Sequence, residues 1–137
     1  MNYMEKEKHV KLSEYFEAAK GRGIIATADS TGQLTAAVYA RPHFFDEDKI
    51  AFIMADRLTH KNLQSNPHAV YLFMEAGDKY VGKRLYLTKT SEEENSPTIE
   101  KIRRRESCPV DKEYTQRNRF LVYFKIDKVL PLIGDKE

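Results

Sequence analysis

A chain of 137 residues with 23 basic and 21 acidic side chains carries a net charge of only +2, too weak a field to bind polyanions without regard to their sequence. Its length allows one core built without staples, and the single cysteine, Cys108, excludes an internal disulfide or a cysteine-rich metal site. The N-terminal MNYMEKEKHVKLSEYF is charged where a secretory signal would be apolar, and no run is long enough to span a bilayer, so one domain over residues 1–137, not membrane-bound and cytoplasmic, is expected.

In chain order, LSEYFEAAKG (12–21) places Leu12, Phe16 and Ala19 on one helical face, with Gly21 as a left-handed cap that closes an N-terminal helical segment, 1–22. Six strand-like runs follow: IIATA (24–28), LTAAVYA (34–40), KIAFIM (49–54), AVYLFME (69–75), KRLYLTK (83–89) and RFLVYFKI (119–126). DSTGQ and FDEDK read as hairpin turns between the first three. Two helices interrupt the series. THKNLQS (59–65) is closed by Pro67; SPTIEKIRRRES (96–107) has Ser96 as cap, Pro97 at its first position, and Ile99 and Ile102 facing inward. The acidic SEEEN (91–95) reads as a loop, making 91–118 a loop and helix insertion.

Six strands with few βαβ units predict a mainly β protein, a six-stranded antiparallel barrel with a few flanking helices. In HAVYLFM both alternate sets are largely apolar, Val70, Leu72 and Met74 on one side and Ala69, Tyr71 and Phe73 on the other, and RFLVYF behaves similarly. A second apolar face requires a cover. A homodimer using strands near 70 and 120 supplies one; the N-terminal and 97–106 helices supply another.

Between two apolar runs lies DRLTHKNLQSNP, residues 56–67, which gathers Arg57, Thr59, His60 and Lys61 in one short turn. Thr59 sits where an N-cap belongs, and Leu58 and Leu63 have the spacing of a hydrophobic staple. The turn reads either as a solvated surface helix or as an anion site. On the second reading, free amides, the positive end of the helix dipole, the Thr59 hydroxyl, the planar Arg57 fork and the Lys61 charge would converge on a phosphate.

The order GIIATADSTGQLTAAVYA, an aromatic and acidic turn, IAFIM and DRLTHKNLQSNPHAVYLF resembles the FMN-binding split β-barrel family, the pyridoxamine 5′-phosphate oxidase-like proteins, over residues 23–87. RLTHKNLQSNP is the most specific part, similar to the family's Arg or Ser, Lys/Thr pair, NL, polar residues and Pro. The resemblance implies a homodimer with two FMN molecules at the subunit boundary. It implies that Arg57, Thr59, His60 and Lys61 hold the phosphate, supported by Asn62. Phe52, Ile53, Met54 and Ala55 would lie along the ribityl chain and flavin edge; Ala37, Val38 and Tyr39 would back the ring, and Arg84 would reach the cofactor from either subunit. The arginine-bearing terminal segment of pyridoxamine phosphate oxidases is not matched. The expectation therefore stops at an oxidoreductase acting on an unidentified small-molecule substrate.

No catalytic side chain is singled out, because a flavin carries the redox chemistry itself. His9, His43, His60 and His68 show no ligand spacing, so no metal is expected. Two alternatives remain open. A small barrel with Tyr39, Tyr71, Tyr86 or Tyr123 as stacking platforms and RRR (103–105) along phosphates would bind single-stranded nucleic acid. A flavin-free barrel would bind another ligand.

Overall fold

Apolar side chains at every second position turn one face of each strand inward, and in β1 (Gly21–Ala28) the alternation is almost unbroken, with Gly23, Ile25 and Thr27 buried. The computed structural model describes residues 11–103 and 118–135. They form α1 (Leu12–Ala18), β1, β2 (Leu34–Tyr39), β3 (His43–Asp46), β4 (Lys49–Ala55), α2 (Leu58–Ser65), β5 (His68–Glu75), β6 (Gly82–Glu94), α3 (Thr98–Ile102) and β7 (Arg119–Pro131). All strand pairs are antiparallel.

The sheet has seven strands, in the order β2-β1-β5-β6-β7-β4-β3, one more than the six expected. The additional strand is β3, whose last residues the sequence assigns to a turn; it pairs with β4 from His43↔Ala51 to Asp46↔Lys49. The sheet does not close, since β2 and β3 end the strand order. It curls instead. The Tyr39 and Phe52 rings meet edge to face at 5.9 Å although β2 and β4 share no ladder. The curl comes from β6 and β7, each 13 residues long, whose register shifts between Tyr86 and Leu87 and again between Lys89 and Ser91. Such bulges bend a strand and raise its twist.

Inside the curl pack Ile25, Ile50, Phe52, Met54, Tyr71, Phe73, Leu85, Leu87, Val122 and Phe124, with Phe16 of α1 among them. Each large side chain so buried contributes roughly 1.5–3 kcal/mol. Phe16 stacks on Phe44 at 5.9 Å and meets Phe73 at 5.2 Å, so α1 plugs one mouth of the curl. Arg41 fixes it by donating to the carbonyls of Phe16 (2.7 Å) and Ala19 (2.9 Å), which the helix itself leaves unpaired. Gly21 is not the expected left-handed cap. It opens β1 in extended form, against a neighbour so close that a Cβ would lie 2.1 Å from the Met74 carbonyl oxygen. Gly32, with φ of +88°, does turn the first hairpin.

The outer faces of the sheet differ. Over β4 and β7, Ile99 and Ile102 of α3 cover Ala51, Ile53, Leu121 and Tyr123. The apolar face near residue 120 is thus closed by the chain's own helix. Pro97, not Ser96, is the N-cap of that helix and the first helical residue is Thr98, whose amide bonds the Ser96 hydroxyl at 3.2 Å; residues 104–107 of the expected helix lie outside the described residues. Over β2, β1 and β5, Leu34 and Val38 are 81% and 75% exposed, and Ile24 and Met74 are partly exposed beside them. The register Ile24↔Val38 and Ile24↔Leu72 puts these side chains on one surface. Among the described residues no helix is long and apolar enough to cross a membrane.

Candidate functional site

Where β4 ends at Ala55, the chain bends through Asp56 and Arg57, and the Arg57 amide bonds back to the Ala55 carbonyl at 2.9 Å. Arg57, extended at φ −130° and ψ −171°, is the N-cap of α2, and its carbonyl accepts the first helical bond from the Lys61 amide at 2.9 Å. The amides of Leu58, Thr59 and His60 therefore precede any helical acceptor and form the positive end of the helix. The helix starts two residues earlier than the sequence suggests. Thr59 is buried at its second position and is not the cap, and Leu58 is exposed while Leu63 is buried, so no staple forms. Arg57 itself makes no side-chain cap.

Asp56, Arg57, Leu58, His60, Lys61 and Gln64 line a hollow of about 610 Å³ with Glu92 of β6 and Phe120 of β7. Arg57 and Lys61 are exposed, four residues apart and hence on one side of the turn. Neither forms an ion pair among the described residues.

The His60 and Asn62 side chains are buried, His60 in a wall of the hollow. His60 is 6% exposed and lies flat on Phe120, ring centroids 3.8 Å apart and 16° from parallel. Its Nδ1 is 3.3 Å from Asp56 Oδ1 and its Nε2 is 3.0 and 3.2 Å from the two Glu92 oxygens. Glu92 also accepts from Gln64 Nε2 at 2.9 Å and Lys89 Nζ at 2.5 Å. Burial pushes the Glu92 carboxyl up, but the bonds from Lys89, Gln64 and His60 prevail and hold it down at about 2. Asn62, 4% exposed, donates to the buried Thr27 hydroxyl at 3.2 Å and ties α2 to β1.

Glu92, Lys89, Gln64 and Phe120 are the members that sequence reasoning misses. SEEEN reads as a loop, whereas residues 91–94 continue β6, Glu92 opposite Val122 and Glu94 opposite Phe120. Lys89 and Glu92, three apart, belong on opposite faces of a regular strand. The bulge between Lys89 and Ser91 brings both to the inner face and makes their ion pair possible.

The strand candidates divide by face. Phe52 and Met54 are buried in the interior, and Ala55 is buried where β4 meets the turn; Ile53 faces outward beneath α3. On β2, Ala37 and Tyr39 pack against the core and Val38 faces out. The structure brings Tyr39 and Phe52 together across the open side. Arg84 stands apart, roughly 26 Å up β6 from Glu92 at about 3.3 Å per residue. It donates from Nε to the Pro131 carbonyl at 2.9 Å and from a terminal nitrogen to that of Gly134, and pairs with Asp135 at 3.6 Å. The four tyrosines considered for stacking do not share a surface. Tyr71 is buried and Tyr39 turns inward, while Lys128 and Lys49 lie over Tyr86 and Tyr123.

No protein-family model and no curated protein matches the sequence. Solved structures do share its architecture. An FMN-binding protein from Syntrophomonas wolfei subsp. wolfei superposes with a TM-score of 0.75 at 20% identity, covering 97% of this chain and 91% of that one. An F420 reductase gives 0.63 at 13% identity, over 86% and 95% of the two chains. A protein from Lactobacillus delbrueckii assigned to the pyridoxamine 5′-phosphate oxidases gives 0.61 at 14% identity, over 88% and 91%. At these identities the likeness establishes the fold, that of the split-barrel proteins.

Proposed function

We propose that this chain binds FMN by its terminal phosphate at the β4–α2 turn and works as a homodimeric oxidoreductase on a small molecule. One observation carries the reading: two cations without carboxylate partners among the described residues, Arg57 and Lys61, flank three helix-start amides, in a fold shared with an FMN-binding protein. The donor chemistry fits the group. A dianion needs convergent donors, and here a planar guanidinium, a point charge and backbone N–H groups are within one turn. Thr59, its side chain buried, serves through its amide; His60 and Asn62 act behind the contact, their side chains being engaged by Glu92, Asp56 and Thr27. The backbone and small side chains of β2, around Ala37 and Val38, with Ala55 at the end of β4, offer a flat ring close approach. Arg84, held at the far end of β6, would serve a cofactor only across a subunit boundary.

When bound, the flavin supplies hydride acceptance and donation, and the chain binds, orients and shields it. The second copy is assigned to the outer face of β2, β1 and β5, where Leu34, Val38, Ile24 and Met74 form an exposed apolar surface at the edge of the sheet. A cytoplasmic location accompanies this reading. Fluorescence titration tests the cofactor: FMN should bind at least tenfold more tightly than riboflavin, which lacks the phosphate, about 1.4 kcal/mol. Equal affinities would remove the anion site. Sedimentation tests the assembly, and a species at the 16.0 kDa chain mass rather than twice that value would remove the dimer.

A further inference from the structure

We propose that His60 is a positioning residue that keeps Asp56 and Glu92 away from Arg57 and Lys61, leaving both cations free for the ligand's phosphate. The inference rests on the anion-site reading above. The hollow contains two acids beside its two bases: Asp56 directly precedes Arg57, and Glu92 lines the same walls as Lys61. Carboxylates so placed would ordinarily pair with the nearest cations and oppose a dianion. Here neither pairs with Arg57 or Lys61, and Glu92 pairs with Lys89 instead. The Asp56 carboxylate faces His60 Nδ1 at 3.3 Å, and both Glu92 oxygens face His60 Nε2. One ring thus engages both carboxylates, Asp56 at Nδ1 and Glu92 at Nε2, with Gln64 Nε2 also 3.1 Å from Nε2.

Every element around the ring contributes to holding it there. The bend before α2 supplies Asp56, α2 itself supplies Gln64, β6 supplies Glu92 and Lys89, and β7 supplies the Phe120 face on which the ring lies. Lys89 and Gln64 take up the rest of the Glu92 acceptor capacity. No ion pair among the described residues involves Arg57 or Lys61, although two carboxylates line the hollow with them. A purely structural role, in which the ring only fastens α2 to the sheet, makes a different prediction about what Glu92 does once His60 is gone.

The experiment is a binding cycle on the full chain with FMN and riboflavin as probes, using His60→Ala, Glu92→Gln and the double variant. His60→Ala should weaken FMN binding about tenfold, the scale of one lost charge-assisted contact. Riboflavin, which has no phosphate, should change less than about twofold. Adding Glu92→Gln to His60→Ala should restore FMN affinity to within about threefold of the parent, because the released acid is then neutral. If the double variant binds FMN no better than His60→Ala, or if FMN and riboflavin weaken together, His60 is only a structural fastener. Should His60→Ala fail to give a cooperative melt, the same cycle is read with His60→Gln, which fills more of the site but carries both of its N–H donors on one nitrogen. A parent protein that does not prefer FMN to riboflavin overturns the anion site itself, a failure visible before any variant is made.

Discussion

The first turn of α2 has two sides whose residues alternate along the chain. Arg57 and Lys61 point into the hollow with exposed charges, while Thr59, His60, Asn62 and Leu63 are buried against the sheet. An isolated helix of eight residues has little stability of its own, so the inward side has to fasten it. It does so through a ring stacked on Phe120, a bond to Thr27 and the contacts to Glu92. The outward side is relieved of that work, and its donors stay uncommitted. Residues adjacent in sequence thus take opposite duties, one set spent on the fold and the other left for a ligand.

Changes at His60, at Arg57 with Lys61, and at Asn62 break this contrast if it is wrong. His60→Ala removes a buried stacked ring and two polar contacts and should lower the unfolding free energy by about 3 kcal/mol in urea denaturation. A loss below about 1 kcal/mol would mean that α2 is fastened elsewhere. Arg57→Ala combined with Lys61→Ala should leave stability within about 0.5 kcal/mol of the parent. The same pair should weaken FMN binding by about 2 kcal/mol, roughly thirtyfold. Stability falling with affinity in this variant would merge the two sides into one. Asn62→Ala leaves the buried Thr27 hydroxyl without its partner and should cost about 1.5 kcal/mol. Thr27→Val in the same chain should then cost less than the sum of the single changes, which a double-mutant cycle measures.

How much of this could be read from the sequence depends on the range of the interaction. Strand alternation is local, and it located the main runs of β1, β2, β4, β5, β6 and β7; the cluster at 57–62 was visible because Arg57, Thr59, His60 and Lys61 fall within five residues. The direction of His60 was not visible. It depends on Glu92, 32 residues away, and on a bulge that turns Lys89 and Glu92 to one face, and neither leaves a local pattern in TKTSEEE. The edge strand β3 escaped for a related reason. Four residues beside a tight turn carry too few alternations to stand out, and their pairing with β4 is what makes them a strand. The outer face near Leu121 was read as apolar, correctly, but its cover could come from a helix or a second copy, and composition does not choose between them. Ile99 of α3 lies there.

A last effect is expected in acid. The Glu92 carboxyl lies near 4.5 in the unfolded chain and at about 2 in the fold, burial being outweighed by bonds from Lys89, Gln64 and His60. A carboxyl lowered by folding lends stability that is complete above its unfolded value and is lost as pH falls through its folded value. Glu92 should therefore add a decline in stability between about pH 4.5 and 2, and Glu92→Gln should flatten that part of the curve. Asp29 is the control. Bonds from Thr31 and then Gln33 lower it too, with the same sign, but within the first hairpin, which bonds α2 at Ser65 and not at His60. Its share of the slope should survive Glu92→Gln and vanish in Asp29→Asn. Urea melts at closely spaced pH values separate the two. If Glu92→Gln leaves the acid slope unchanged, Glu92 is not holding the inward side of α2, and the division of labour within that turn fails at the residue on which both of its sides converge.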